Sequence, residues 1–243
     1  MTDLRYDPLA SLKENGAGLL KTASGTDLAA AVPSCPGWSL SDLVFHVSKV
    51  WTFWTEIVAP PLTTAEQVRN LPAPTQPDDD HIIAWAESRL ESCLAVLETA
   101  DANAEVWTWT GTNQPTSWVH RRMAQETAVH RWDVEHTATT DWMIDPIVAS
   151  DGIDEFLMWH AHSRLNDSPN VGGSVHLHCT DADGEWTITN PDSGNMKFDR
   201  THEKSDTAIK GEANALLLWV WRRPGPPVEI FGDTAVAERF QGS

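Results

Sequence analysis

The sequence predicts an α plus α+β protein: a helical N-terminal half, read as a four-helix bundle, followed by a smaller α+β domain. Up to about residue 139, apolar residues recur at helical spacing between capping residues and Pro-rich turns. Past Ile144 the grammar changes to short strand-like runs separated by turn residues. A chain of 243 residues has room for two modest domains, with a boundary at 147/148 that gives domains 1–147 and 148–243.

The first helix covers Leu9 to Leu20, with Leu9, Leu12, Leu19 and Leu20 forming its apolar stripe. Pro33, Pro36 and Gly37 make Val32–Trp38 a turn. Ser39 then stands as an N-cap, Asp42 at N3 completes a box-like pair, and Trp38 and Leu43 are placed as a hydrophobic staple. This second helix runs to about Val58, where Pro60 and Pro61 stop it. A loop rich in Pro and Thr leads to a third helix, Asp79–Thr99, and a fourth begins at Thr116 or Ser117 and ends near Thr139. Facing side chains in such a bundle can enclose a metal site. In the second domain the expected elements are a helix over Asp151–Leu165, then a loop through Gly173. Strands follow at Val175–Cys179 and Trp186–Thr189 around a turn at Asp181–Gly184, with short strands at Met196–Phe198 and Ala208–Lys210. A helix over Ala213–Arg222, a strand at Val228–Ile230 and a helix over Thr234–Phe240 close the chain.

Composition narrows the function. A formal charge of -18, from 35 acidic and 17 basic residues, would repel phosphates and argues against nucleic acid as a partner. Such acidity suits solubility or a salt-adapted host. Cys35, Cys93 and Cys179 make no CxxC pair, so they read as buried small hydrophobes or, for one of them, a nucleophile. Met1–Tyr6 is charged and lacks the apolar core of a secretory signal. No apolar run approaches the roughly 20 residues that span a bilayer. The expectation is a cytoplasmic protein, monomeric or a small homo-oligomer, with no membrane partner.

The chemistry concentrates in Gln125–Asp133. Glu126 and His130 are four residues apart, one above the other on a helix, and Asp133 lies one turn further along. The plain reading is a helix-surface pair. The chemical reading adds His46 from the second helix, giving two imidazoles and one carboxylate, a zinc-type ligand set with an open fourth position. Asp42, one turn before His46, and Asp133 are then placed to orient the rings from behind. Trp51 and Trp54, among 13 tryptophans, are candidates to wall a substrate pocket. His176 and His178 share one strand face, a spacing that can bind metal, with no third donor near them in the sequence.

Two further stretches identify a relationship. Val32-Pro33-Ser34-Cys35-Pro36-Gly37-Trp38 with Asp42-Leu43 and His46, and Arg121-Arg122-Met123-Ala124-Gln125-Glu126 with Thr127–Asp133, resemble the mycothiol-dependent maleylpyruvate isomerase family. Gly211–Arg223 resembles the end of that family's C-terminal domain, where a glycine precedes an apolar helix ending in arginine. The resemblance implies a DinB-like four-helix bundle holding a divalent metal, usually zinc, through His46, Glu126 and His130. It also implies mycothiol as thiol cofactor or co-substrate, an electrophilic small-molecule substrate, and Arg223 or its neighbour Arg222 as a catalytic cation reaching across the domain junction. Arg122 can take a substrate anion. The reaction implied is cis-trans isomerisation by thiolate addition. Thiol transfer to an electrophile, and a non-catalytic metal- or ligand-binding member, are the alternatives. Gln125 departs from the pattern, since relatives often carry histidine there.

Overall fold

The computed structural model describes residues 4–161, 171–189 and 196–242. Helix α1 (Pro8–Ser24) starts where Asp7 accepts from the backbone N–H groups of Leu9 and Ala10, with Pro8 at the first helical position. Helix α2 (Leu40–Val58) starts in a full capping box: Ser39 and Asp42 satisfy each other's backbone N–H groups. A five-residue helix α3 (Ala65–Arg69), boxed by Thr64 and Gln67, interrupts the loop expected to be irregular. Helix α4 (Asp79–Thr99) carries Asp79 and Asp80 in its first turn, where the helix dipole favours anions.

Two-residue strands β1 (Glu105–Val106) and β2 (Gln114–Pro115), absent from the sequence expectation, pair antiparallel just before α5 (Thr116–Thr137). No side chain caps α5. Its first N–H groups, on Thr116 and Ser117, donate instead to the carbonyls of Ala104 and Ala102 at 2.9 Å.

Helices α1, α2, α4 and α5 form the bundle, with α1 against α5 and α4, and α2 against α4 and α5. On α2, Leu40, Leu43, Val44, Val47, Trp51, Trp54 and Ile57 make one buried stripe at helical spacing. Trp51 ties this stripe to α5: its indole N–H donates to Thr127 Oγ1 at 2.9 Å, and both residues are fully buried. Among the described residues, no helix is long and apolar enough to cross a membrane.

The second unit runs from Ile144 onward, together with the N-terminal segment through Arg5; the bundle unit is Tyr6–Met143. Helix α6 (Pro146–Glu155) begins five residues earlier than expected because Asp145 caps it and Pro146 occupies its first position. It continues as a π-helical turn, Phe156–His160. The stretch 162–165, where this helix was expected to end, lies outside the described residues. Among the described residues five strands follow, β3 (Ser174–Cys179), β4 (Glu185–Thr189), β5 (Lys197–Asp199), β6 (Thr207–Gly211) and β7 (Glu229–Gly232). They order as β5-β4-β3-β6-β7, with β3 and β6 parallel and the other pairs antiparallel. Helices α7 (Ala213–Val220) and α8 (Thr234–Gly242) pack against β3 and β6.

Trp51→Phe keeps the ring volume nearly intact but leaves the buried Thr127 hydroxyl without its indole partner. Urea unfolding should show a loss of about 1–3 kcal/mol.

Candidate metal centre

The turn before α2 sets one wall of the centre. Trp38 N–H donates to the Cys35 carbonyl at 3.0 Å, with Pro36 and Gly37 between them and Gly37 at φ 86°. That is a type II turn, which needs a left-handed residue after the proline and finds glycine there. It leaves Trp38 against the His46 ring, centroids 4.9 Å apart, and Cys35 Sγ 3.9 Å from Asp133 Oδ2.

Helices α2 and α5 bring the three expected donors together. Glu126 Oε1 lies 3.2 Å from His46 Nε2 and 3.2 Å from His130 Nε2. The two rings meet edge to face at 5.0 Å. A tetrahedral ion with bonds near 2.05 Å separates its donors by roughly 3.3 Å, so this spacing fits a divalent ion bound by two imidazoles and a carboxylate. The other carboxylate oxygen, Oε2, accepts from Arg122 Nη2 at 2.5 Å. Arg122 sits one turn before Glu126 and thereby holds the carboxylate so that Oε1 faces the histidines. The residue expected from the sequence to take a substrate anion thus donates to Glu126 in the fold.

Asp133 is fully buried and its Oδ2 is 2.8 Å from His130 Nδ1, which leaves Nε2 turned toward Glu126. Burial works against the imidazolium, but Glu126 and Asp133 outweigh it and raise the His130 pKa to about 9. Burial likewise disfavours the Glu126 carboxylate, yet His130, His46 and Arg122 together hold it well below the usual carboxylate range. A cation held by these donors would take the place of the proton on His130 Nε2, with Nδ1 still bonded to Asp133.

Other expectations land elsewhere. Asp42 does not reach His46. Its Oδ2 accepts from the Ser39 N–H at 2.8 Å and the Ser39 hydroxyl at 2.7 Å, and these bonds lower its pKa. Trp51 and Trp54 are core residues, 0% and 3% exposed, with Trp54 packed on Phe53 and Trp118. A cavity of about 330 Å³ on this unit is lined by Lys49, Val50, Phe53, Glu56, Val68 and Leu71–Pro74, without either tryptophan. Gln125 is buried and donates to the Tyr6 hydroxyl at 2.9 Å.

In the other unit, α7 ends in a Schellman arrangement. Arg223 N–H donates to Leu218 O at 2.9 Å and Arg222 N–H to Trp219 O at 3.0 Å. Arg222 therefore occupies the left-handed position usually given to glycine, at φ 58°. Its Nε donates to the Gln241 carbonyl at 2.6 Å, while the Arg223 guanidinium lies 5.9 Å from the Trp221 ring.

Sequence reasoning missed Cys35 as a neighbour of the centre and Arg122 as the clamp on Glu126. Nothing local signals the first, because Cys35 and Asp133 are far apart in the chain. The second had a signal, the four-residue spacing of Arg122 and Glu126.

Asp133→Asn should weaken zinc binding 10- to 100-fold in a competition titration. Asp42→Ala should leave that affinity unchanged and cost about 1 kcal/mol of stability. The cap's contribution is present above the ordinary carboxyl value of 3.8 and is lost as pH falls through the lowered folded value, so wild type and Asp42→Ala should converge in acid.

The domain model described as "Mycothiol maleylpyruvate isomerase N-terminal domain" matches residues 9–135, and "MDMPI C-terminal domain" matches residues 148–239. Among solved structures, the chain is similar to the crystal structure of the mycothiol-dependent maleylpyruvate isomerase, at 14% identity and a TM-score of 0.61. That match covers 92% of this chain and 91% of the other. A histidine-to-alanine mutant of that isomerase matches at 13% identity and 0.59, covering 87% and 86%. No curated protein matches the sequence. With both domain models spanning most of its length in the expected order, the chain belongs to the mycothiol maleylpyruvate isomerase family.

Proposed function

We propose that the protein is a mycothiol-dependent isomerase that interconverts cis and trans forms of a maleylpyruvate-like acid. The observation that carries this reading is the convergence of His46 and His130 on one oxygen of Glu126, with Arg122 and Asp133 holding the set from behind. The name of the similar solved structure supplies the thiol and the substrate class. A divalent ion, zinc by the donor chemistry, would lower the pKa of a thiol beside these donors and so supply a thiolate at neutral pH.

The chain's own residues do the rest. His46, Glu126 and His130 orient the nucleophile, and the Arg122–Glu126 pair keeps the carboxylate from turning away. The thiolate adds to one alkene carbon, forming a C–S bond while the π electrons move into the adjacent carbonyl. Rotation about the new single bond follows. Collapse of the enolate restores the double bond and expels the thiolate, so no thiol is consumed. On a chain of charge -18, a dicarboxylate needs a cation to receive it, and we assign this to Arg223 or Arg222.

Elemental analysis tests the centre: His46→Ala, Glu126→Ala and His130→Ala should each lose bound metal and thiol-dependent turnover. Full metal retention in all three would refute the assignment. Following mycothiol during turnover tests the reaction; its level should stay constant, and stoichiometric loss would mean transfer instead. Arg223→Ala should raise KM for the dicarboxylate roughly 10- to 100-fold with little change in KM for the thiol. Arg222→Gly, which suits the backbone, reports the Arg222 side chain without disturbing the helix end.

A further inference from the structure

The C-terminal sheet gathers four metal-type donors outside the centre described above. Strand alternation sends Val175, Leu177 and Cys179 to one face of β3 and His176 and His178 to the other. Glu185 on β4 lies directly across from His178, and Thr187 directly across from His176. The segment leaving β5 supplies His202, held over the same face because the Thr187 hydroxyl donates to the Thr201 carbonyl at 3.0 Å. One ligand atom from each of His176, His178, Glu185 and His202 lies within 4.8 Å of all the others.

Hydrogen bonding alone leaves this cluster incomplete. Glu185 Oε1 is approached by Nδ1 of His178 and, at 3.0 Å, by Nδ1 of His202. The His176 ring stands 4.8 Å from the His202 ring and is 6% exposed. Its Nε2 is buried and has no hydrogen-bond partner among the described residues. A buried polar atom without a partner is costly and rare, and calls for an explanation.

We infer that His176, His178, Glu185 and His202 form a second divalent-cation site, of the zinc class, that braces the C-terminal sheet. Three imidazole nitrogens and one carboxylate oxygen are zinc ligands, and four protein donors fill a tetrahedral shell with no place left for substrate. The role is therefore structural. An ion there joins β3, β4 and the segment after β5, and it gives the buried His176 ring a ligand bond. The inference is independent of the chemistry proposed for His46, Glu126 and His130.

The test uses the full chain carrying Glu126→Ala and His130→Ala, titrated with zinc by calorimetry and with cobalt(II) by visible absorbance. One equivalent of zinc should bind, and cobalt should show the intense bands of a tetrahedral complex. Adding His202→Ala, whose side chain is 73% exposed and so removable without unfolding, should weaken binding at least 10-fold. It should also abolish the rise in Tm that zinc gives. In the otherwise unaltered chain, His202→Ala should lower zinc content by one equivalent whether or not the first centre binds. A folded Glu126→Ala/His130→Ala chain that takes up no zinc overturns the inference. So does zinc content untouched by His202→Ala and by His178→Ala.

Discussion

The Glu126 carboxylate is the group on which the bundle's chemistry turns. One oxygen is held by Arg122 and the other faces two imidazoles. A buried carboxylate is tolerated only when paired and hydrogen-bonded, and here every partner comes from α2 or from α5 itself. Asp133 adds a second buried negative charge beside His130. Two carboxylates against Arg122 and a protonated His130 make a balanced quartet. If a dication takes the place of that proton, the same groups carry one positive charge, and an incoming thiolate restores neutrality. With such an ion in place, these surroundings would favour an anionic sulfur over a neutral one.

Much of this was legible in the sequence because it is local. The capping box at Ser39 and Asp42, and the Glu126/His130 stripe, lie within one helical turn, where spacing fixes which side chains meet. What a residue does with two available partners was harder to read. Asp42 had both a cap and a histidine one turn away, and the nearer backbone N–H won. Arg122 was read for an anion, and its four-residue spacing to Glu126 carried the pairing that the fold shows.

The misses in the fold have the same origin. Strands of two residues carry no periodicity, so β1 and β2 left no trace. Helix α6 did announce its start through Asp145 and Pro146, a cap and first-position pair that the apolar pattern alone passes over. Trp51 and Trp54 looked like pocket walls, but they sit on the stripe that packs α2 into the bundle. His202 has no sequence link to His176 and His178; strand pairing and one threonine hydroxyl place it.

The three expected donors, and the Arg122 and Asp133 side chains that hold them, lie either in the short span from Arg122 to Asp133 or at His46 on the helix alongside, with the Cys35–Trp38 turn as one wall. The long excursion through α3 and the full length of α4 contribute no donor. A centre with so few dependencies is portable: two neighbouring helices and the turn that enters one of them, set at the same spacing and stagger, would carry the constellation. Insertions between Ala59 and Asp78 would leave its coordination chemistry untouched.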